Sequence, residues 1–211
     1  MKYIIMCGGT YAKWDRPKHL TELKGEPLVA RTIRLLRENR ITDIAISSNS
    51  ELFEQFGVPV LKHENKYSLP LEGRATSPWL DAFYLMESPV CYIFGDVVFS
   101  PDAIKTIVNT NTDSIEFFAS AKPLPDIYPK HWAEPFAFKV KDTRRFFEAI
   151  EVTKQYDEQG LFKRQPVSWE LWQVIKGTPL NHVDYTNYVA INDYTCDIDE
   201  PKDIKLFERF V

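Results

Sequence analysis

The apolar positions of this chain fall into two alternating rhythms. Residues 3–7, Tyr-Ile-Ile-Met-Cys, form a short apolar run that stops at Gly8-Gly9, the pattern of a buried strand. From Pro27 the spacing changes. Leu28, Val29, Ala30, Ile33, Leu35 and Leu36 recur at helical intervals with charges between them, predicting an amphipathic helix that ends near Asn39-Arg40. Residues 43–48 predict a second strand, 51–56 a short helix closed by Gly57, and 58–61 a third strand. Strand-helix-strand-helix-strand order predicts a parallel sheet with right-handed crossovers.

Further along, residues 63–76 have no period and contain Pro70 and Gly73, so they predict a loop. Ser77-Pro78 would open a helix over 79–86, since serine caps well and proline suits the first turn. Residues 89–94 are the most convincingly buried strand and end at Gly95-Asp96. Ser100-Pro101 starts a helix over 102–108, and 114–120 predicts another strand. Residues 121–134 form a long loop rich in proline and aromatics, and long loops in compact domains are often functional. A strand at 135–140 and a helix at 142–150 come next. The pattern loosens from Glu151, with a polar stretch at 155–165, and tightens into a helix at 167–175 that carries Trp169 and Trp172. A short strand at 188–191 precedes Cys-Asp-Ile-Asp-Glu-Pro-Lys-Asp-Ile, residues 196–204. Pro201 starts the last helix, on which Ile204, Leu206, Phe207 and Phe210 can pack and Asp203 is expected to tolerate loss of its carboxylate. The expected architecture is a single α/β domain, a three-layer α/β/α sandwich with a mostly parallel, Rossmann-like central sheet. Residues around 121–185, where the pattern loosens, are expected to form an insertion.

Composition narrows the classes. At 211 residues and 44% hydrophobic, the chain can bury a sizeable core. A net charge of −4 gives no global field for nucleic acid or an anionic membrane, so any phosphate affinity must be local. No stretch approaches the roughly 20 apolar residues a span requires, and the N-terminal run lacks a signal-peptide layout. Three cysteines without a C-x-x-C pair read as buried thiols of a reducing compartment, and a cytoplasmic location is expected. The four histidines lack zinc-ligand spacing.

The chemistry concentrates in the first loop, residues 7–20. Gly8 and Gly9 can turn backbone N–H groups toward a ligand, and Lys13, Arg16 and Lys18 can supply countercharge to a phosphate. The same residues would equally make a plain turn with solvated cations. The loop is neither a G-K-[ST] phosphate loop nor a G-x-G-x-x-G fingerprint. Asp96, just past a central strand, would point into the ligand crevice of an open α/β sheet, where a hard carboxylate suits Mg²⁺. A turn aspartate is the other reading. Ser77 could cap a helix or bond a ligand. Asp197 and Asp199 are two apart, so on an extended strand they share one face, although Asp199 could equally cap the last helix with Asp197 solvated.

The loop, with Pro17-Lys18 and then Gly25-Glu26-Pro27-Leu28, resembles the nucleotidyltransferases that join NTPs to sugar phosphates and similar phosphorylated alcohols. Those enzymes open with a strand, a G-G-x-G-x-R loop, a P-K pair and G-K-P-L. Tyr11 stands where the family has its next glycine. Lys13 stands where it has arginine, which keeps the charge without the bidentate fork. Arg74-x-x-Ser77 resembles the base-recognising R-x-x-S of cytidylyltransferases acting on a methylerythritol phosphate, and D-I-D-x-P-x-D resembles the end of acid-sugar cytidylyltransferases.

The resemblance implies transfer of a nucleoside monophosphate from an NTP, with a lean to CTP, onto a phosphorylated sugar, polyol or acid-sugar acceptor, releasing pyrophosphate. Lys18 would stabilise the α-phosphate, Lys13 would hold the β- and γ-phosphates, and Gly8, Gly9 and Thr10 would donate backbone N–H groups. Arg74 and Ser77 would bind the base. Asp96 with Asp197 or Asp199 would hold Mg²⁺. The expected partners are the NTP and a small phosphorylated acceptor, with a second copy of the chain as a candidate. A glycosyltransferase of the same general fold, or a non-catalytic nucleotide-binding module, would use some of the same residues.

Overall fold

The computed structural model describes residues 1–8, 13–62 and 79–211. In chain order its elements are β1 (Lys2–Met6), β2 (Glu22–Leu23), β3 (Glu26–Pro27), α1 (Leu28–Glu38), β4 (Ile44–Ser47), β5 (Val60–Leu61), β6 (Val90–Phe94), β7 (Val97–Val98), α2 (Pro101–Asn109), β8 (Ile115–Ser120), β9 (Glu134–Val140), α3 (Thr143–Glu158), α4 (Ser168–Lys176), β10 (Val189–Ala190) and β11 (Cys196–Asp197). Short 3-10 helices cover Lys18–Leu20, Glu51–Phe56, Leu80–Ala82 and Pro201–Leu206. The loop expected at 63–76 and the Ser77-Pro78 cap lie outside the described residues. In place of the helix expected over 79–86, the chain makes a single 3-10 turn at Leu80–Ala82.

Among the described residues, seven strands form one sheet in the order β10-β8-β9-β6-β1-β4-β5. β1 pairs parallel with β4 and β6, β4 with β5, and β10 with β8. β9 runs against both its neighbours, β6 and β8. This is the mixed α/β fold with a mostly parallel central sheet that the strand and helix rhythms predict. The parallel strands β1 and β6 are buried along nearly their whole length, which is why they read as continuous apolar runs.

The helices pack in pairs, α1 with α2 and α3 with α4. The face of the sheet that carries Tyr92, Phe117 and Phe138 meets Phe146 of α3 and Trp169 and Trp172 of α4, with ring centroids 4.9–6.4 Å apart. Trp169 and Trp172 are therefore core residues, each 2% exposed. Helix α3 runs to Glu158, eight residues beyond its expected end. Its last turns bury only Thr153 past Ile150, so their sequence shows little apolar period.

Three local devices carry the C-terminal segment to the ligand edge of the sheet. Ser100 caps α2, its Oγ accepting from the Ala103 N–H at 2.9 Å while donating to Asp193. Thr195 accepts from the Ser100 N–H at 2.9 Å. β11 then pairs antiparallel with β7, setting Asp197 opposite Val97, and the Ile198 N–H donates to the Asp96 carbonyl at 3.0 Å. A second close approach lies at Gly95. A Cβ there would meet the Met6 carbonyl oxygen at 2.6 Å and the Cys7 sulfur at 2.7 Å. Glycine lets the ends of β1 and β6 close together, with the Gly95 N–H donating to the Met6 carbonyl at 3.0 Å.

Candidate active site

Where β1, β6 and β11 end, an open cavity of about 560 Å³ is lined by Gly8, Lys18, Asp96, Asp197 and Asp199, together with residues from the second half of the chain. This is the carboxyl edge of the parallel strands, the usual ligand position of open α/β sheets.

Lys18 follows Pro17 on the 3-10 turn Lys18–Leu20 and is only 6% exposed. Its Nζ lies 2.5 Å from Asp96 Oδ2 and donates to the Ile198 carbonyl at 3.2 Å. One ammonium thus joins the first loop, the end of β6 and the C-terminal segment. Burial works to lower the Lys18 pKa, but the Asp96 carboxylate outweighs it and the ammonium is held above its ordinary value. Burial likewise opposes ionisation of Asp96, and Lys18 wins, holding that carboxyl below its ordinary value. Beside them the His19 imidazole is buried and pushed down to about 4, with Asp96 pulling the other way and Lys18 reinforcing the shift.

Asp197 and Asp199 do share a face, as their spacing predicts, and Ile198 between them is buried. Their common partner is Lys130, from the long loop between β8 and β9. Its Nζ lies 2.5 Å from Asp197 Oδ1, 2.6 Å from Asp199 Oδ2 and 3.7 Å from Glu134 Oε1. Glu134, the first residue of β9, also accepts from the Trp132 indole N–H. Oxygens of Glu134, Asp197 and Asp199 fall within 4.8 Å of one another. Burial pushes the Glu134 carboxyl up to about 9, and Asp197 adds to the shift while Lys130 opposes it. Burial raises Asp197 to about 6 against the pull of Lys130, with Asp96 and Asp199 raising it further. Crowded carboxylates of this kind are what a cation relieves. Three hard oxygen donors at this spacing fit an oxygen-preferring divalent ion.

The structure therefore gathers Gly8, Lys18, Asp96, Asp197 and Asp199. Lys13 stands apart from the cavity lining: its side chain is 63% exposed and its Nζ pairs with Glu200 Oε1 at 2.5 Å. Gly9, Thr10, Tyr11, Arg74 and Ser77 lie outside the described residues. Sequence reasoning missed Lys130 and Glu134 as individuals, although it marked their loop as long enough to be functional. It also missed Arg164, whose Nε donates to Glu170 Oε1 at 2.6 Å while its side chain borders the cavity. Trp79, Trp132, Trp169 and Tyr185 complete an aromatic wall.

The sequence pattern of the MobA-like NTP transferase domain matches residues 3–166. The chain belongs to that family. As a member it is an enzyme of the nucleotidyltransferase type. Among solved structures, the chain is similar to the inositol-1-phosphate CTP transferase from T. maritima, with a TM-score of 0.55 at 15% identity over 99% of this chain and 95% of that one. It is similar to CTP:phosphocholine cytidylyltransferase from Streptococcus pneumoniae, with a TM-score of 0.54 at 13% identity over 99% and 97%. HddC from Yersinia pseudotuberculosis matches with a TM-score of 0.54 at 16% identity over 100% and 99%. At such identities these likenesses show the fold alone. Among the described residues no helix is long and apolar enough to cross a membrane.

Proposed function

We propose that this enzyme transfers a nucleoside monophosphate from an NTP, with CTP preferred, to a small phosphorylated sugar, polyol or acid-sugar acceptor. The observation that carries this reading is the meeting of Lys18, Asp96, Asp197 and Asp199 in one cavity at the carboxyl edge of the sheet. An oxygen of the acceptor phosphate attacks the α-phosphorus in line. A P–O bond forms there as the bond to the β-phosphate oxygen breaks, and pyrophosphate leaves with the electron pair. An already ionised phosphate needs no general base. Catalysis is then mostly positioning and charge neutralisation.

Lys18 would neutralise charge developing on the α-phosphate, for which its raised pKa keeps it cationic. Gly8, Gly9 and Thr10 would supply backbone donors, and Lys13, freed from its exposed pair with Glu200, would reach the β- and γ-phosphates. Asp197 and Asp199, with Asp96 or Glu134 completing the set, would hold Mg²⁺. When bound, that ion supplies charge neutralisation and a common template for the two phosphates. Residues 121–185 would cover the acceptor, since Trp132, Glu134, Arg164, Trp169 and Tyr185 of that stretch border the cavity. The preference for CTP rests on Arg74 and Ser77. A pocket built for the cytosine edge would leave buried groups unpaired against uracil.

The test is a pyrophosphate-release assay with each NTP, Mg²⁺ and a panel of phosphorylated acceptors. Release of pyrophosphate, fastest with CTP, is expected. Equal kcat/KM for all four NTPs would remove the cytidylyl preference alone. A nucleoside diphosphate released from a nucleotide sugar, with no pyrophosphate from any NTP, would replace the transferase reading by glycosyl transfer.

A further inference from the structure

The carboxylates suited to a divalent ion already hold a cation of the protein's own. Lys130 is 7% exposed, and its Nζ sits within 2.6 Å of both Asp197 and Asp199 and 3.7 Å from Glu134. A Mg²⁺-type ion needs the same oxygens at about 2.1 Å. The ammonium and the ion would therefore compete for one position, because two cations that close repel strongly in a partly buried site. We propose that Lys130 is an internal stand-in for the metal, which blocks the Asp197/Asp199 site in the free enzyme and must withdraw before a divalent ion can enter. The inference rests on the metal role proposed above for these two aspartates.

Two observations favour displacement over a fixed structural ion pair. Lys130 belongs to the connection between β8 and β9 rather than to a strand or helix, so backbone hydrogen bonds of a regular element do not fix it. The Trp132 ring centroid lies 5.6 Å from the ammonium, and Trp132 is 55% exposed at the cavity mouth. An aromatic face holds a displaced ammonium through its ring quadrupole, and phosphate oxygens in the cavity would hold it more strongly. Free enzyme should then bind divalent ions weakly, and binding should tighten once an anionic substrate draws Lys130 away.

The experiment is calorimetric titration of the full chain with Mn²⁺ alone, without nucleotide or acceptor. Lys130→Met should bind Mn²⁺ at least tenfold more tightly than the wild type. Lys130→Arg, which keeps the charge, should bind as weakly as the wild type. Equal or weaker binding by Lys130→Met overturns the proposal, and so does an absence of binding by both chains, which also removes the metal role. If Lys130→Met does not fold, wild-type crystals soaked in Mn²⁺ decide the matter. An ion between the carboxylates with the ammonium moved off supports displacement; an ion with Nζ still on both aspartates overturns it. None of these readouts uses turnover, so a wild-type enzyme that released no pyrophosphate would undo the proposed reaction and leave this result standing.

Discussion

Lys18 carries two duties that pull its variants in different directions. It faces the cavity, and it also neutralises the partly buried Asp96 carboxylate at 2.5 Å. Lys18→Ala is therefore expected to lower kcat by orders of magnitude and also to lower the melting temperature. Removing one partner of a fully buried pair costs about 3–5 kcal/mol, and the cost here should be smaller because Asp96 keeps contact with the open cavity. A folded Lys18→Ala variant with unchanged kcat would take the residue out of the mechanism. Lys13→Ala removes only an exposed pair, so its melting temperature should stay near the wild-type value while KM for the NTP rises. An unchanged KM counts against a phosphate role for Lys13. His19 adds a pH dependence. Its folded pKa of about 4 lies below the ordinary 6.5, so the unfolded chain binds the extra proton between those values. Stability from this group is then full above about pH 6.5 and is lost as pH falls toward 4. The loss is on the order of 3 kcal/mol, at about 1.4 kcal/mol per pKa unit. Denaturant titrations of wild type and His19→Gln at pH 7, 5.5 and 4 should show the wild-type advantage shrinking by that amount. A constant difference would contradict the assignment.

At the scale of elements, the site depends on how strand ends are brought together. Gly95 has no room for a side chain between the ends of β1 and β6, since the nearest obstacle is the backbone oxygen of Met6 at 2.6 Å. Gly95→Ala should cost about 1–3 kcal/mol through overpacking and should displace Asp96, its chain neighbour. A melting temperature and activity equal to wild type would show that the close approach can relax. Asp203 also changes meaning once the last turn is seen. Its Oδ2 accepts from the backbone N–H groups of Asp199 and Glu200 at 2.9 and 3.0 Å. It caps the 3-10 helix Pro201–Leu206 and holds the backbone beside Asp199. Asp203→Ala should lose about 1 kcal/mol of capping stability and raise the metal concentration needed for half-maximal turnover. Wild-type metal dependence in that variant would confine Asp203 to capping.

Across the whole molecule, carboxylates about a hundred residues apart in sequence share one cavity because β11 returns to pair with β7. Asp96→Asn and Asp199→Asn should each abolish metal-dependent turnover, while circular dichroism and gel filtration remain those of the wild type. Retained turnover in a folded Asp199→Asn enzyme would shift the metal role toward Glu134 and Asp197.

The strand and helix rhythms by themselves determined the parallel part of the fold. Buried parallel strands must be apolar throughout, and α1 must place its apolar residues on one face, so both leave a local signature. The first loop and the paired aspartates 197 and 199 were likewise legible, since glycines, a Pro-Lys pair and a two-residue spacing are local patterns. What only the tertiary structure decided was partnership. That Lys18 would face Asp96, that Lys130 would sit between Asp197 and Asp199, and that Glu134 would join them depends on strand pairing over long sequence separations. No periodicity records that pairing. A lysine in a proline-rich loop looks solvated until the sheet closes around it, and its charge acquires a function only from the carboxylates that the fold brings to meet it.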